Sequence, residues 1–194
     1  MWRGKTVSVV IASYKEKQSI RKVVDDFFAT GFVDEVIVVD NNAEEGSKEE
    51  VQKTKARLFF EKRQGQGFAL RKGMAEAKGD YIILSEGDGT YNPFDVEKFL
   101  SYAEEFPVVL GTRTNTSMVG PGSGMFYLRR IADVWEAKLI EYLFWTKTLT
   151  DVCCTYRLLR RDYEKTPRPS EKGKRSVSHH LHGIYNKLPG TRGW

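Results

Sequence analysis

Short apolar runs rich in β-branched residues alternate with helical patterns through the first 111 residues, and this alternation leaves few folds open. Val7–Ser13 and Glu35–Asp40 are continuous, strand-length runs and read as fully buried strands. Residues 57–61, 81–85 and 107–111 read the same way. Between them lie helical segments at 15–30, 48–56, 68–78 and 94–105. In the first of these, Ile20, Val23, Val24, Phe27 and Phe28 share one face, and Gly31 supplies the stop. Ser47 is a candidate cap for the second. Such alternation predicts an α/β, Rossmann-like fold, a mostly parallel central sheet with helices on both faces. Right-handed crossovers then bring every strand's carboxyl end to one edge, where open α/β sheets bind ligands. The residues at those ends are 13–16, 40–42, 86–88 and 111–113, and they are polar, acidic or small.

Charge narrows the function classes. The net charge is +5, yet residues 164–194 hold seven Lys/Arg against two acids, so residues 1–163 are balanced. A basic field spread over the fold, as specific nucleic-acid binding would need, is not indicated. The apolar runs are far shorter than the roughly 18–20 residues of a membrane span. The start lacks the pattern of a secretory leader, which makes a cytoplasmic location the expectation. Cys153 and Cys154 are adjacent and offer no disulfide framework.

Three motifs carry candidate chemistry. Tyr81-Ile-Ile-Leu-Ser-Glu-Gly-Asp-Gly-Thr-Tyr91 delivers Glu86 and Asp88 from a buried strand onto the ligand edge, with Gly87 and Gly89 expected to leave room for a bulky group. Two carboxylates completed by a diphosphate suit Mn²⁺ or Mg²⁺, which prefer oxygen ligands; the bland alternative is an acidic turn. In Val36-Ile-Val-Val-Asp-Asn-Asn42, Asp40 is placed to accept hydrogen bonds from a ribose or base, or else simply starts a turn. Arg63-Gln-Gly-Gln-Gly67 is a glycine turn before a helix carrying Arg71 and Lys72, able to hold anionic groups but matching neither a Walker loop nor a dinucleotide fingerprint.

Downstream, residues 115–124 form a Gly/Ser/Thr/Pro-rich loop suited to closing over a ligand. Residues 125–147 are aromatic-rich and helical, read either as a core helix or as one shaping an acceptor or interfacial surface. Residues 151–161 resume as a strand or turn. The pattern stops near Glu164, and residues 164–194 read as a basic, poorly ordered tail after a domain spanning 1–163. His179, His180 and His182 in that tail are read as solvated rather than as a metal site.

Taken in order, Ser8-Val-Val-Ile-Ala-Ser-Tyr-Lys-Glu16, Val38-Val-Asp-Asn-Asn42, Gly65-Gln-Gly-Phe-Ala-Leu-Arg-Lys-Gly73 and Gly79-Asp-Tyr-Ile-Ile-Leu-Ser-Glu-Gly-Asp88 resemble glycosyltransferase family 2, with its GT-A fold, and within it the polyprenyl- and dolichol-phosphate sugar synthases. The resemblance covers about residues 5–161. It implies transfer of a sugar from a UDP- or GDP-sugar, with Mn²⁺ or Mg²⁺, to an acceptor such as a polyprenyl phosphate, by a protein peripheral to the inner membrane face. It implies nucleotide-sugar contacts at Ser13, Tyr14, Glu16, Asp40, Asn41, Gly67, Arg71, Glu86, Gly87, Asp88 and Arg113, the last from Gly111-Thr-Arg113. It implies metal ligation by Glu86 and Asp88, and catalytic roles for Asp88 and, from Asp151-Val-Cys-Cys-Thr-Tyr-Arg157, for Asp151 and Arg157. Lys15 stands where the family usually has Asn, Glu86 where it usually has Asp, and the sequence after Tyr163 departs from the family pattern. Two rival readings are a sugar nucleotidyltransferase, whose glycine-rich loop after the first strand is missing here, and a non-catalytic nucleotide-binding domain.

Overall fold

The computed structural model describes residues 1–112, 127–144 and 151–164. The chain divides into two compact units, Met1–Gly111 with Cys154–Lys165, and Thr112–Cys153 with Thr166–Trp194. In the first unit, β1 (Val7–Ser13), β2 (Glu35–Asp40), β3 (Arg57–Phe60), β4 (Tyr81–Glu86), β5 (Val108–Leu110) and β6 (Arg157–Arg160) form one six-stranded sheet in the order β3-β2-β1-β4-β6-β5. The pairs β1–β2, β1–β4 and β2–β3 are parallel, and β6 runs antiparallel to both β4 and β5. The mostly parallel α/β sheet expected from the alternation is therefore present, with one reversed strand inserted.

Register explains why the strand ends meet. Ser13 pairs with Asp40 across β1–β2, and Ala12 pairs with Glu86 across β1–β4. Because β6 is reversed, its amino end joins this same edge, with Arg157 opposite Leu84.

Alternate residues of the strands bury on opposite faces. On one face Val7, Val9, Ile11, Val36, Val38 and Ile83 pack with α1 (Ile20–Ala29), α2 (Ser47–Gln52) and α4 (Val96–Ala103). On the other, Val10, Ala12, Ile37, Val39, Ile82 and Leu84 pack with Ala69 and Leu70 of α3 (Gln66–Glu76). Each such fully buried aliphatic or aromatic side chain stabilises the fold by about 1.5–3 kcal/mol. A 3₁₀ turn at Pro93–Asp95 leads into α4.

Two helix boundaries differ from expectation for local reasons. α1 starts at Ile20 rather than near Lys15, because the carboxylates of Glu16 and Glu44 take the backbone N–H groups of Tyr14 and Lys17. Those donors are satisfied without a helical turn. α2 ends at Gln52, where the Thr54 hydroxyl and N–H both turn back to the Val51 carbonyl.

α3 lies very close to the sheet at Gly73. A Cβ there would stand 2.2 Å from Val10 Cγ1 and 3.1 Å from Val39 Cγ2. Ala ordinarily stabilises a helix over Gly by about 0.5–1 kcal/mol. Here the overlap dominates, and Gly73→Ala is expected to destabilise by about 1–3 kcal/mol, read as a lower denaturation midpoint at unchanged slope.

In the second unit, α5 spans Tyr127–Phe144. Its Ala137 is buried, while Ile131, Trp135, Leu139, Tyr142 and Leu143 are exposed, Trp135 by 73% and Tyr142 by 81%. At 100° per residue those five side chains fall on one stripe facing away from Ala137. Of the two readings of this segment, a simple core helix is set aside for that face. Among the described residues no helix is long and apolar enough to cross a membrane.

Candidate active site

The ligand edge is built by three loops and the start of β6. After β1, Tyr14 is exposed, with its backbone N–H on the Glu16 carboxylate and Lys15 Nζ 5.2 Å above its ring. Ser13 is buried, and its hydroxyl has no hydrogen-bond partner among the described residues.

After β2, Asp40 and Asn41 have different surroundings. Asp40 Oδ1 accepts a 2.7 Å bond from Ala43 N–H, the turn expected of an Asp at a strand end. Asn41 is 3% exposed and fully engaged: its amide donates to the carbonyls of Glu61 (2.9 Å) and Arg63 (2.7 Å), and its oxygen accepts from Gly65 N–H (2.8 Å). Asn41 thus holds the glycine turn by its backbone. Glu61 braces the same turn by taking the Arg63 backbone N–H and guanidinium, and these bonds hold its carboxyl below the usual carboxylate range.

Gly65, at φ +135°, opens α3 and presents Gln66 at the edge. Gly67 follows in the first turn. Arg71, one turn further on, is half-buried and makes no ion pair among the described residues.

The acidic pair follows β4. Asp88 is exposed; its oxygens accept from Thr90 N–H (2.9 Å) and Thr90 Oγ1 (2.5 Å). Glu86 Oε1 accepts from Gln66 Nε2 (2.7 Å) and Thr155 Oγ1 (2.5 Å). Among the described residues neither acid is paired with a cation. Both carboxylates are held by neutral donors. This donor set fits a hard divalent cation. Two acids are too few to cage one alone, and no cluster of three metal-ligating side chains occurs among the described residues. A cation here would be shared with a diphosphate.

The expected room beside Gly87 is a correction: that space is filled. A Cβ on Gly87 would lie 2.7 Å from Ile20 Cδ1, and its carbonyl accepts a 2.7 Å bond from Ser19 Oγ at the start of α1. Gly87 lets the acidic loop press onto α1, and Gly89 takes a left-handed φ of +79°.

Behind this loop, Tyr156 stacks on Tyr91 at 5.0 Å and meets Phe99 edge-on at 4.6 Å. Its hydroxyl donates to Asn92 O, and burial keeps that hydroxyl protonated far above its ordinary range. Thr155 N–H donates to Tyr91 OH at 3.1 Å. Gly111 admits the same segment closely: a Cβ there would meet the Tyr156 carbonyl at 2.8 Å. Arg157 Nε donates to Cys154 O (2.7 Å), while Asp151 is buried and belongs to the second unit. Arg113, the loop at 115–124 and the three histidines lie outside the described residues.

The structure therefore gathers Ser13, Tyr14, Glu16, Asp40, Asn41, Gly67, Glu86, Gly87 and Asp88 along the ends of β1, β2 and β4 and the start of α3. Sequence reasoning missed Gln66, Thr90 and Thr155. Gln66 lay inside the glycine motif and Thr155 beside the two adjacent cysteines, but only contact with an acid marks them out.

The six-stranded sheet of this order, with a glycine turn and an acidic pair at its carboxyl edge, is a Rossmann-like fold of the GT-A kind. The chain belongs to glycosyl transferase family 2, whose model matches residues 8–166. It is similar to the dolichol-phosphate mannosyltransferase of Saccharomyces cerevisiae, 31% identical over 129 residues, covering 61% of this chain and 46% of that protein. It is also similar to the dolichyl-phosphate beta-glucosyltransferase of Homo sapiens, 24% identical over 186 residues, covering 81% and 56%. Among solved structures, glucosyl-3-phosphoglycerate synthase of M. tuberculosis superimposes with a TM-score of 0.64 at 22% identity, covering 82% of this chain and 58% of that one, which shows the shared fold. A further structure of that synthase, at a TM-score of 0.61, 20% identity and coverage of 82% and 57%, is a complex with Mn²⁺, UDP and phosphoglyceric acid. The chain spans about half the length of these proteins.

Proposed function

We propose that this chain carries the nucleotide-sugar-binding part of a metal-dependent glycosyltransferase that moves a sugar from a UDP- or GDP-sugar to a polyprenyl phosphate. The observation that carries the reading is the pair Glu86 and Asp88, held at the sheet edge by neutral donors and, among the described residues, without an ion pair.

In this reading Tyr14, Glu16 and Asp40 contact the nucleoside, and Asn41 keeps the glycine turn in shape. Gly67 and Arg71 serve the diphosphate from the first turns of α3. Glu86 and Asp88 would hold Mn²⁺ or Mg²⁺, which when bound offsets the charge that develops on the leaving diphosphate. The phosphate acceptor brings an anionic oxygen and needs little help from a general base. A hydroxyl acceptor would need one, and Asp151 is then the proposed base, with Arg157 on the acceptor side of the reaction.

The dolichol-phosphate relatives and the exposed apolar stripe of α5 support an acceptor at a membrane surface. Amphipathic aromatics such as Trp135 and Tyr142 are favoured at lipid–water boundaries.

The test is thermal unfolding with UDP and with GDP, each with and without Mn²⁺. A ligand at about 100 times its dissociation constant adds roughly 2.7 kcal/mol. A shift that needs both metal and one nucleotide is expected and names the donor base. No shift from a cooperatively folded sample would favour the non-catalytic reading.

A further inference from the structure

We propose that Gln66 and Thr155 are positioning residues that fix one oxygen of Glu86 so that the other faces the metal, an assignment that rests on the reading of Glu86 as a metal ligand. Three elements converge on a single atom. Gln66 is the first residue of α3, Thr155 precedes β6 by two residues, and Glu86 ends β4. Glu86 Oε1 lies 2.7 Å from Gln66 Nε2 and 2.5 Å from Thr155 Oγ1, and those two donors are 3.3 Å apart.

The donor and acceptor chemistry sets the direction of these bonds. A carboxylate only accepts, so the Gln66 amide must turn its NH₂ toward it. The hydrogen that bonds Glu86 Oε1 is shared at longer range with Thr155 Oγ1, which lies on the same side of the nitrogen. The Thr155 hydroxyl then donates its only proton to Glu86 Oε1. Oε1 therefore receives two hydrogen bonds, one from each residue. Glu86 Oε2 makes no hydrogen bond among the described residues.

Glutamate suits this network. Its extra methylene, relative to aspartate, carries the carboxylate across to a strand and a helix at once. An aspartate at position 86 would withdraw the oxygen by about one bond length, roughly 1.5 Å, beyond hydrogen-bond reach of both donors. The departure from the usual Asp is thus matched by Gln66 and Thr155.

The network also joins two parts of the site. Gln66 follows the glycine turn that Asn41 holds, which places that turn and the Glu86 carboxylate in one hydrogen-bonded network. Metal and nucleotide are each expected to tighten the other's binding, by equal factors.

The experiment is Mn²⁺ titration followed by electron paramagnetic resonance, with saturating UDP or GDP, on folded wild type, Gln66→Ala, Thr155→Val, Thr155→Ser and Glu86→Asp. Groups that orient a metal ligand typically change metal affinity by about 10–100-fold. Gln66→Ala, Thr155→Val and Glu86→Asp are expected to weaken Mn²⁺ binding within that range. Thr155→Ser, which keeps the hydroxyl, should return to within about threefold of wild type, a rescue that a packing role for the Thr155 methyl would not give. Wild-type affinity in Thr155→Val and Gln66→Ala overturns the positioning assignment and leaves the metal site standing. Wild type that binds no Mn²⁺ with either nucleotide overturns the functional reading and this assignment with it.

Discussion

Asp88→Asn is expected to lower sugar transfer by about 10³-fold while leaving the fold as stable as wild type. Asp88 is exposed and, among the described residues, bonds only to Thr90, two residues away. Asn keeps an oxygen for the Thr90 N–H, so the turn survives, and exposed substitutions of this kind usually stay within about 0.5 kcal/mol. The substitution removes a negative charge where a divalent cation and a diphosphate would meet. Loss of one group that stabilises developing charge costs about 10²–10³ in rate, and loss of a metal ligand belongs at the upper end. A factor of 10³ corresponds to about 4 kcal/mol of transition-state stabilisation. The check is turnover of a nucleotide sugar beside a thermal unfolding curve. The metal-dependent nucleotide shift should vanish with the activity. Undiminished metal-dependent turnover would remove Asp88 from the chemistry.

Asn41→Leu should have the larger effect on the fold, a loss of about 3 kcal/mol. The leucine fits the volume but abandons two carbonyls, of Glu61 and Arg63, and the Gly65 N–H, all bound by Asn41 at 2.7–2.9 Å. A buried group left without a partner costs about 1–3 kcal/mol, and relaxation of the surface turn limits the sum. For a chain of this size, 3 kcal/mol lowers the melting temperature by roughly 6–12 °C. Asn41→Asp should cost at least as much, since it keeps the acceptor for Gly65 but sets a buried carboxylate oxygen against the two carbonyls. In both variants the turn no longer presents Gln66 to Glu86. Nucleotide and Mn²⁺ should then shift the unfolding curve less than in wild type, measured well below each variant's melting point. A fold of normal stability with Leu at this position would mean the turn is held by Glu61 and Arg63 without Asn41.

Much of this was legible locally. A run such as Val36–Val39 can be satisfied only by burial on both faces, which calls for a parallel sheet covered by helices. Once crossovers are right-handed, Asp40 and Glu86 must arrive at one edge, and the pairing of Ser13 with Asp40 and Ala12 with Glu86 shows that they do. The apolar periods of α1 and α4 place Phe27, Phe99 and Leu100 in the core for the same reason.

Other features depend on partners far away in the chain. Arg157–Arg160 is a four-residue strand whose pattern says nothing of direction or neighbours, and only packing puts it antiparallel between β4 and β5. The period of α5 defines an apolar stripe but not which way it faces. Asn41 looked like a ligand contact and is occupied by the glycine turn. Gly87 looked like open space and is closed by Ile20. Thr155 reaches Glu86 across 69 residues and Gln66 across 20. Periodicity and turn chemistry record interactions within a few residues, so the sequence by itself determined the elements, the sheet class and the edge that carries the acids. The assignment of each polar group to its partner was left to the tertiary structure, because a hydrogen bond exists only where two donors and acceptors, however distant in sequence, are brought within about 3 Å.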